Sequence, residues 1–353
     1  MIAALVAGLA VAGCDGNPLG NKPECGGNPL PGGPECIPSG GLPGAEGEVP
    51  ALPGTTAPGA ATSILRYEDL DTGTGNGYAQ GFVYNPLSNT YTIDNLAFDG
   101  ANTYRKRPGQ PVDTLGGYQV YEASATELDP QTGVPIPQFQ HRLLAGISAT
   151  GRTEFAIVRT GAYRGYGFGG FVLKRTGGVV LPTTQQAAYS GNYAAIRDFS
   201  GASGLEYATG TMEIAIDFED FNAGDAVRGS VSNRQIFDAN GTNITASVLA
   251  AMDAKFNPSA IGPGSTQLPT LVFKVGPGAI DSNGEIRGLL DSAVVDRRTI
   301  IPTVTTYETG TYYAVVSGSN ADEVVGVIVV EAEDPRLGGV TVRETGGFIL
   351  YRP

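Results

Sequence analysis

Along Met212-Glu213-Ile214-Ala215-Ile216-Asp217-Phe218, the residues Met212, Ile214, Ile216 and Phe218 alternate with Glu213, Ala215 and Asp217. That is the period-2 pattern of a strand with one packed face and one wet face. Similar segments recur at about 189 to 197, 226 to 237, 269 to 275, 284 to 290, 307 to 316, 323 to 331 and 340 to 352. The clusters Ser200-Gly201, Asn222-Ala223-Gly224-Asp225, Ser282-Asn283-Gly284 and Ser317-Gly318-Ser319-Asn320 separate them as turns. Eight strands joined mainly by short turns predict a closed antiparallel β-barrel, because closure removes exposed strand edges.

Outward from the barrel, one helix is expected at Thr245 to Phe256, where Val248, Leu249, Met252 and Phe256 share a face. Asn243 or Thr245 is its cap, and the helix plugs one barrel end or covers it. The first half is also strand-rich, as in Tyr78 to Tyr84, Tyr118 to Tyr121, Phe155 to Arg159 and Phe171 to Lys174, but its periodicity is poorer. The chain therefore reads as all-β: an irregular β-rich accessory domain over 63–181, a boundary at Leu181-Pro182-Thr183-Thr184, and an eight-stranded antiparallel barrel over 182–353.

Gly310-Thr311-Tyr312-Tyr313, followed by Ala321-Asp322-Glu323-Val324-Val325-Gly326, carries a family signature. Tyr189-Ser190-Gly191-Asn192-Tyr193, Thr209-Gly210, Asp217-Phe218, Gly229-Ser230 and Gly346-Gly347-Phe348 suit the same barrel. The segment from about 187 to 353 resembles the β-barrel module of the transferrin-binding protein B family of Gram-negative surface lipoproteins, with room for a single lobe. The resemblance implies a handle-like β domain ahead of the barrel, to which Tyr163-Arg164-Gly165-Tyr166-Gly167-Phe168-Gly169-Gly170 would belong. It implies a structural role for Gly310, Tyr312, Tyr313, Ala321, Glu323 and Gly326, with glycines admitting close strand approach and aromatics filling a barrel layer.

The amino terminus points to export. Met1 to Ala12 is uncharged and apolar, too short to span a bilayer, and ends at Val11-Ala12-Gly13-Cys14. Residues 1–13 are expected to be a lipoprotein signal peptide with Cys14 the lipid attachment site; the alternative is a secretory signal beside an incidental cysteine. From Cys14 to Ala61, 22 of the 48 residues are Gly or Pro and none is aromatic. Such composition buries too little apolar surface to offset its ordering entropy, so 14–62 is expected to be a disordered tether.

Within it, Gly16-Asn17-Pro18-Leu19 leads to Pro23-Glu24-Cys25, and Gly27-Asn28-Pro29-Leu30 leads to Pro34-Glu35-Cys36. In an exported chain Cys25 and Cys36 are expected to form a disulfide; two free thiols and a metal site are the alternatives. Metal is disfavoured, since His141 is the single histidine. Asp15, directly after Cys14, leaves inner-membrane retention open beside the favoured outer membrane.

A net charge of −13 argues against nucleic acid, whose phosphates demand a basic face, and against adhesion of the body to anionic lipid. No cofactor and no catalytic constellation is expected. Asp71-Thr72-Gly73 spells an aspartic-protease triplet but has no second copy to form the dyad, so it reads as a turn. Gly165 to Gly170 runs into a strand at Phe171 and so lacks the helix N-terminus of a phosphate loop. Asp217, Glu219, Asp220 and Asp225 do not match a calcium-loop spacing.

The expectation is a non-enzymatic lipoprotein, held to the membrane by lipid at Cys14, that recognises a protein or protein-bound nutrient. Its expected partner loops contain Asn222, Gly224 and Asp225, and Ser319 and Asn320, together with longer loops of the first domain. The alternatives are a small-molecule carrier with its ligand in the barrel lumen, and a structural envelope lipoprotein without specific ligand. Bulky inward residues on every strand would exclude the carrier.

Overall fold

The computed structural model describes residues 49–94, 102–129, 131–137, 141–161, 165–219, 226–256, 265–274 and 279–353. Short strands make up the first part: β1 (Ile64–Tyr67), β2 (Gly81–Asn85), β3 (Thr90–Asp94), β4 (Thr103–Arg105), β5 (Thr114–Leu115) and β6 (Tyr118–Glu122). The ribbon β7 (Thr126–Leu128) and β8 (Pro135–Pro137) follows, then β9 (Arg142–Ile147), β10 (Thr153–Arg159) and β11 (Gly169–Arg175). The sheet runs β1-β11-β10-β9-β6-β4-β3-β2, with β5 on β6.

The second part is the expected barrel. It comprises β12 (Gln186–Ser200), β13 (Leu205–Asp217), β14 (Val227–Asp238), β15 (Leu271–Phe273), β16 (Glu285–Asp296), β17 (Thr303–Ser317), β18 (Glu323–Glu333) and β19 (Thr341–Tyr351). All pairings are antiparallel and follow chain order, and β12 against β19 closes the ring. The alternation at 212–218 works as read: Met212, Ile214, Ile216 and Phe218 are at most 3% exposed and join one cluster in the lumen. Glycines let aromatic rings lie flat against neighbouring strands. Phe348 covers Gly326, leaving no space for a Cβ, and Tyr312 covers Gly288 while stacking on Phe273 at 3.6 Å.

Helix α1 (Thr245–Phe256) has the expected bounds. The Thr245 N–H donates to Asn243 Oδ1 at 3.0 Å, so Asn243 is the cap, while the Thr245 hydroxyl accepts the Ile236 N–H at 2.9 Å. The helix packs on β14 and β16, the neighbours of the three-residue β15. Val248, Leu249, Met252 and Phe256 thereby complete the core where β15 is too short to cover it.

The outer wall of the barrel is not uniformly wet. Ala194, Ile196, Val315, Val325, Val327 and Ile349 point outward from β12, β17, β18 and β19 and are buried, because β6, β9, β10 and β11 lay Val120, Leu144, Phe155, Ile157, Phe171 and Leu173 against them. The opposite face of that first sheet has its own core around Tyr91, Tyr104, Tyr121, Leu143, Ala156 and Val172.

Polar clasps lock the two parts together. Arg66 forks onto Glu285 at 2.6 Å, Arg175 Nη1 donates to the Val316 carbonyl at 2.8 Å, and Glu323 accepts the Thr150 hydroxyl at 2.7 Å. A fragment beginning at 182 would expose the apolar stripe and leave Glu285, the Val316 carbonyl and Glu323 without these donors.

One boundary is corrected. The tether expected over 14–62 cannot extend to 62, because Val49 and Leu52 are buried. The Thr55 N–H donates to the Leu65 carbonyl at 3.1 Å and Tyr67 N–H to the Pro53 carbonyl at 3.2 Å. Main-chain pairing along β1 holds this Pro-rich stretch, which its side-chain composition conceals. Residues 1–48, with Cys14, Cys25 and Cys36, lie outside the described residues.

Candidate functional site

The lumen face of the barrel carries a ladder of charge above its apolar layer. Arg234 on β14 donates to both oxygens of Glu308 on β17 at 2.7 and 2.8 Å, and to Glu344 on β19 at 3.1 Å. Tyr193 donates to Glu344 at 2.9 Å and Ser292 to Glu308 at 2.5 Å. Arg197 continues from Glu344, 3.3 Å away, to Glu206 at 2.9 Å. Burial works against the Arg234 charge, but Glu308 and Glu344 outweigh it and raise its pKa well above the ordinary value. These ion pairs and hydrogen bonds tie β12, β13, β14, β16, β17 and β19 to one another across the lumen.

The family-like residues lie in packed surroundings. Gly310 sits with no space for a Cβ against the Val329 carbonyl, and Tyr313 faces Phe171 across the interface. The Ala321 carbonyl accepts the buried Tyr189 hydroxyl, and Glu323 clasps the first sheet. Asp71 accepts the Gly73 N–H at 2.9 Å and the Thr74 hydroxyl at 2.7 Å, the turn expected of it; the Thr74 hydroxyl holds its carboxyl below the usual range. Asp217 accepts from Gln186 at 2.7 Å and from the Glu219 N–H at 3.0 Å, whereas Asp220 and Asp225 lie outside the described residues. His141 is buried with Nδ1 at 3.1 Å from the Tyr104 hydroxyl, and burial lowers its pKa to about 4. Among the described residues no group of three His, Cys, Asp or Glu side chains is placed to hold a metal.

A second buried cluster lies between the parts. Asp198 on β12 is fully buried, with Arg159 Nε 3.7 Å from its Oδ2. Burial pushes its pKa from 3.8 up to about 6, against the pull of Arg159 and Arg343. The folded state thus holds this proton more tightly than the unfolded state does. Its contribution to stability is full below about pH 4 and declines as pH rises through about 6, a difference of about 3 kcal/mol. Asp198→Asn should therefore raise stability at about pH 7 by up to that amount and change it little at about pH 4. His141 slopes the other way over this range, so urea midpoints of variant minus wild type at both pH values isolate the Asp198 effect; equal shifts at both would refute it.

The sequence-expected loops divide. Ser319 and Asn320 are exposed in the β17–β18 turn, beside the Arg152–Asp322 pair at 2.9 Å. Asn222, Gly224 and Asp225 lie outside the described residues.

The opposite end holds what the sequence reading missed. In the β16–β17 connection, Ile300 is 103% exposed and Ile301 75%, with Val304 64% exposed just beyond. Leu337, in the β18–β19 turn at this end, is 45% exposed. The base of the loop is fixed: Arg298 forks onto Asp296 at 2.5 and 3.0 Å, and the Arg297 N–H donates to the Phe256 carbonyl of α1 at 2.9 Å. The signal was legible in Arg297-Arg298-Thr299-Ile300-Ile301-Pro302, where two adjacent isoleucines interrupt the alternation between turn residues.

No protein-family model and no curated protein matches the chain. Among solved structures it is similar to a double mutant of transferrin binding protein B from Haemophilus parasuis Hp5, at 13% identity and TM-score 0.33, covering 75% of this chain and 40% of that one. It is also similar to an intact transferrin binding protein B with N and C lobes, at 13% identity and TM-score 0.30, covering 65% of this chain and 39% of that one. A mutant from Actinobacillus pleuropneumoniae H49 matches at 12% identity and TM-score 0.27, over 59% of this chain and 79% of that one. The chain spans about two fifths of the length of the first two.

Proposed function

We propose that this chain is a non-enzymatic envelope lipoprotein that presents one end of its barrel to a partner protein. The carrying observation is the pair Ile300 and Ile301, held out on a loop whose base is pinned by Arg298 and α1. Isolated exposed apolar residues are ordinary; Ile300, Ile301, Val304 and Leu337, all exposed on strand connections or strand ends at the same end of the barrel, give that end the apolar character a recognition surface needs. Position supports this. Ala51 and Leu52 meet the body beside Glu285 and Ile286, at the other end of β16. The amino-terminal segment thus joins roughly 35 Å from the tip, the span of a strand of this length.

In this reading residues 1–13 are the signal, Cys14 bears the lipid, and the following segment is the tether, with outer-membrane placement favoured. Recognition moves from Ser319 and Asn320, which offer no apolar anchor, to the far tip. The apolar packing of Met212, Ile214, Ile216 and Phe218 inside the barrel favours recognition at the surface over a carrier. No helix among the described residues is long and apolar enough to cross a membrane; in this reading the lipid on Cys14 is the anchor.

Cys14→Ser should release the protein into the soluble fraction with its fold intact; retention after a high-salt wash would contradict the anchor. For recognition, a partner captured by the wild-type protein should bind at least about tenfold more weakly to the Ile300→Ser/Ile301→Ser variant at unchanged melting temperature. Undiminished capture would move the site elsewhere.

A further inference from the structure

The two edges of the first sheet are treated differently. On β1 the preceding chain covers the edge, through the Thr55-to-Leu65 and Tyr67-to-Pro53 bonds. β2, at the other end of the strand order, pairs only with β3 among the described residues. Gly81-Phe82-Val83-Tyr84-Asn85 contains no lysine, no proline and no other charge, the devices that keep edge strands from pairing. Val83 is 69% exposed on it, and Leu87 in the following turn is 98% exposed.

A cavity of about 480 Å³ opens along this strand, lined by Phe82, Val83 and Tyr84 and, across from them, Ile147, Glu154 and Lys174. Consecutive strand residues point to opposite faces, so a cavity touching three in a row meets the strand at its edge, the side on which β2 has no strand partner among the described residues. Glu154 and Lys174 pair at 2.9 Å, which leaves the wall neutral. A second cavity of about 560 Å³ shares Tyr84 and Ile147 with the first and continues past Tyr91, Tyr118 and Tyr121 to Asn192 of the barrel, with no charged side chain in its lining. Its rings are fixed in place. The Tyr84 and Tyr121 hydroxyls both donate to Asn89 Oδ1, at 3.2 and 2.9 Å, and the Tyr118 hydroxyl donates to the Asn192 carbonyl at 2.9 Å.

We propose that an extended, uncharged peptide segment of a partner protein adds to the outer edge of β2, with one apolar or aromatic side chain entering the tyrosine-lined cavity. In strand addition the main-chain bonds supply affinity and pockets for alternate side chains supply selectivity. Cavities of this size take a few residues and not a folded domain, which favours a single segment over a second copy of this chain. The site stands on β2 and is independent of the barrel tip.

The test is selection of displayed random peptides, roughly twelve residues long, on the full-length protein with counter-selection on Val83→Lys, a substitution at an exposed position. The expected result is enrichment of uncharged peptides with alternating apolar residues. A synthetic copy should slow amide exchange across Gly81–Asn85, bind about tenfold more weakly to Val83→Lys, and fail to bind once its alternate amides are N-methylated. Ile300→Ser/Ile301→Ser should leave its affinity unchanged. No enrichment, protection of other strands, or indifference to N-methylation overturns the proposal. So does a concentration-dependent dimer lost in Val83→Lys, or a β2 edge already protected in the free protein, because either assigns the edge to this chain itself.

Discussion

Arg234→Ala is expected to destabilise the protein by about 3 to 5 kcal/mol, the cost of breaking a buried ion pair from one side. The guanidinium is fully buried and binds Glu308 and Glu344 together, so its removal leaves Glu308 with only Ser292 and strips Glu344 of one of its two arginines. Uncompensated carboxylates in a packed lumen must either pay desolvation or take up protons. The double variant Arg234→Met/Glu308→Met should recover much of the loss, since apolar replacements of buried pairs are often neutral and Glu344 keeps Arg197 and Tyr193. Urea unfolding at neutral pH measures both. A loss below about 1 kcal/mol for Arg234→Ala would mean that the lumen admits enough water to solvate the carboxylates.

Phe155→Ala is expected to cost about 3 to 5 kcal/mol, because it opens a cavity at the seam of the two parts. The ring is fully buried, lies edge-on to Tyr118 at 4.9 Å, and presses against Gly347 of β19 where no Cβ would fit. Amide protection should fall first in β10 and β19, the strands that the ring joins. Phe155→Leu, which keeps most of the volume, should cost no more than about 1.5 kcal/mol. Similar losses for both variants would show that ring shape against Gly347 matters more than volume.

What was legible in the chain followed from locality. The barrel strands repeat apolar and polar residues at period two within a dozen residues, and α1 puts Val248, Met252 and Phe256 on one face, so both could be read without knowing their neighbours. Arg234 could not. In Asn233-Arg234-Gln235 it reads as a solvated face, and only closure of the ring brings Glu308 and Glu344, 74 and 110 residues away in sequence, to its guanidinium. The outward-facing Ala194, Val325 and Ile349 were equally opaque, since burial on both faces depends on a sheet folded from the other half of the chain. β4, three residues long, is too short to show a period, and the stretch at 49–62 is held by main-chain bonds that composition does not record. At the candidate site the signal was present but unused: Ile300-Ile301 stands out only when the alternation is expected to continue and does not.

The Ile300–Ile301 end of the barrel is expected to touch a protein partner. The most direct measurement places a photo-crosslinking benzoylphenylalanine at position 300, and separately at exposed Ser319 on the opposite end, in the native cells. Illumination should yield one discrete protein adduct from position 300 and none from position 319. Adducts from position 319 alone, or no protein adduct from position 300, would contradict the account.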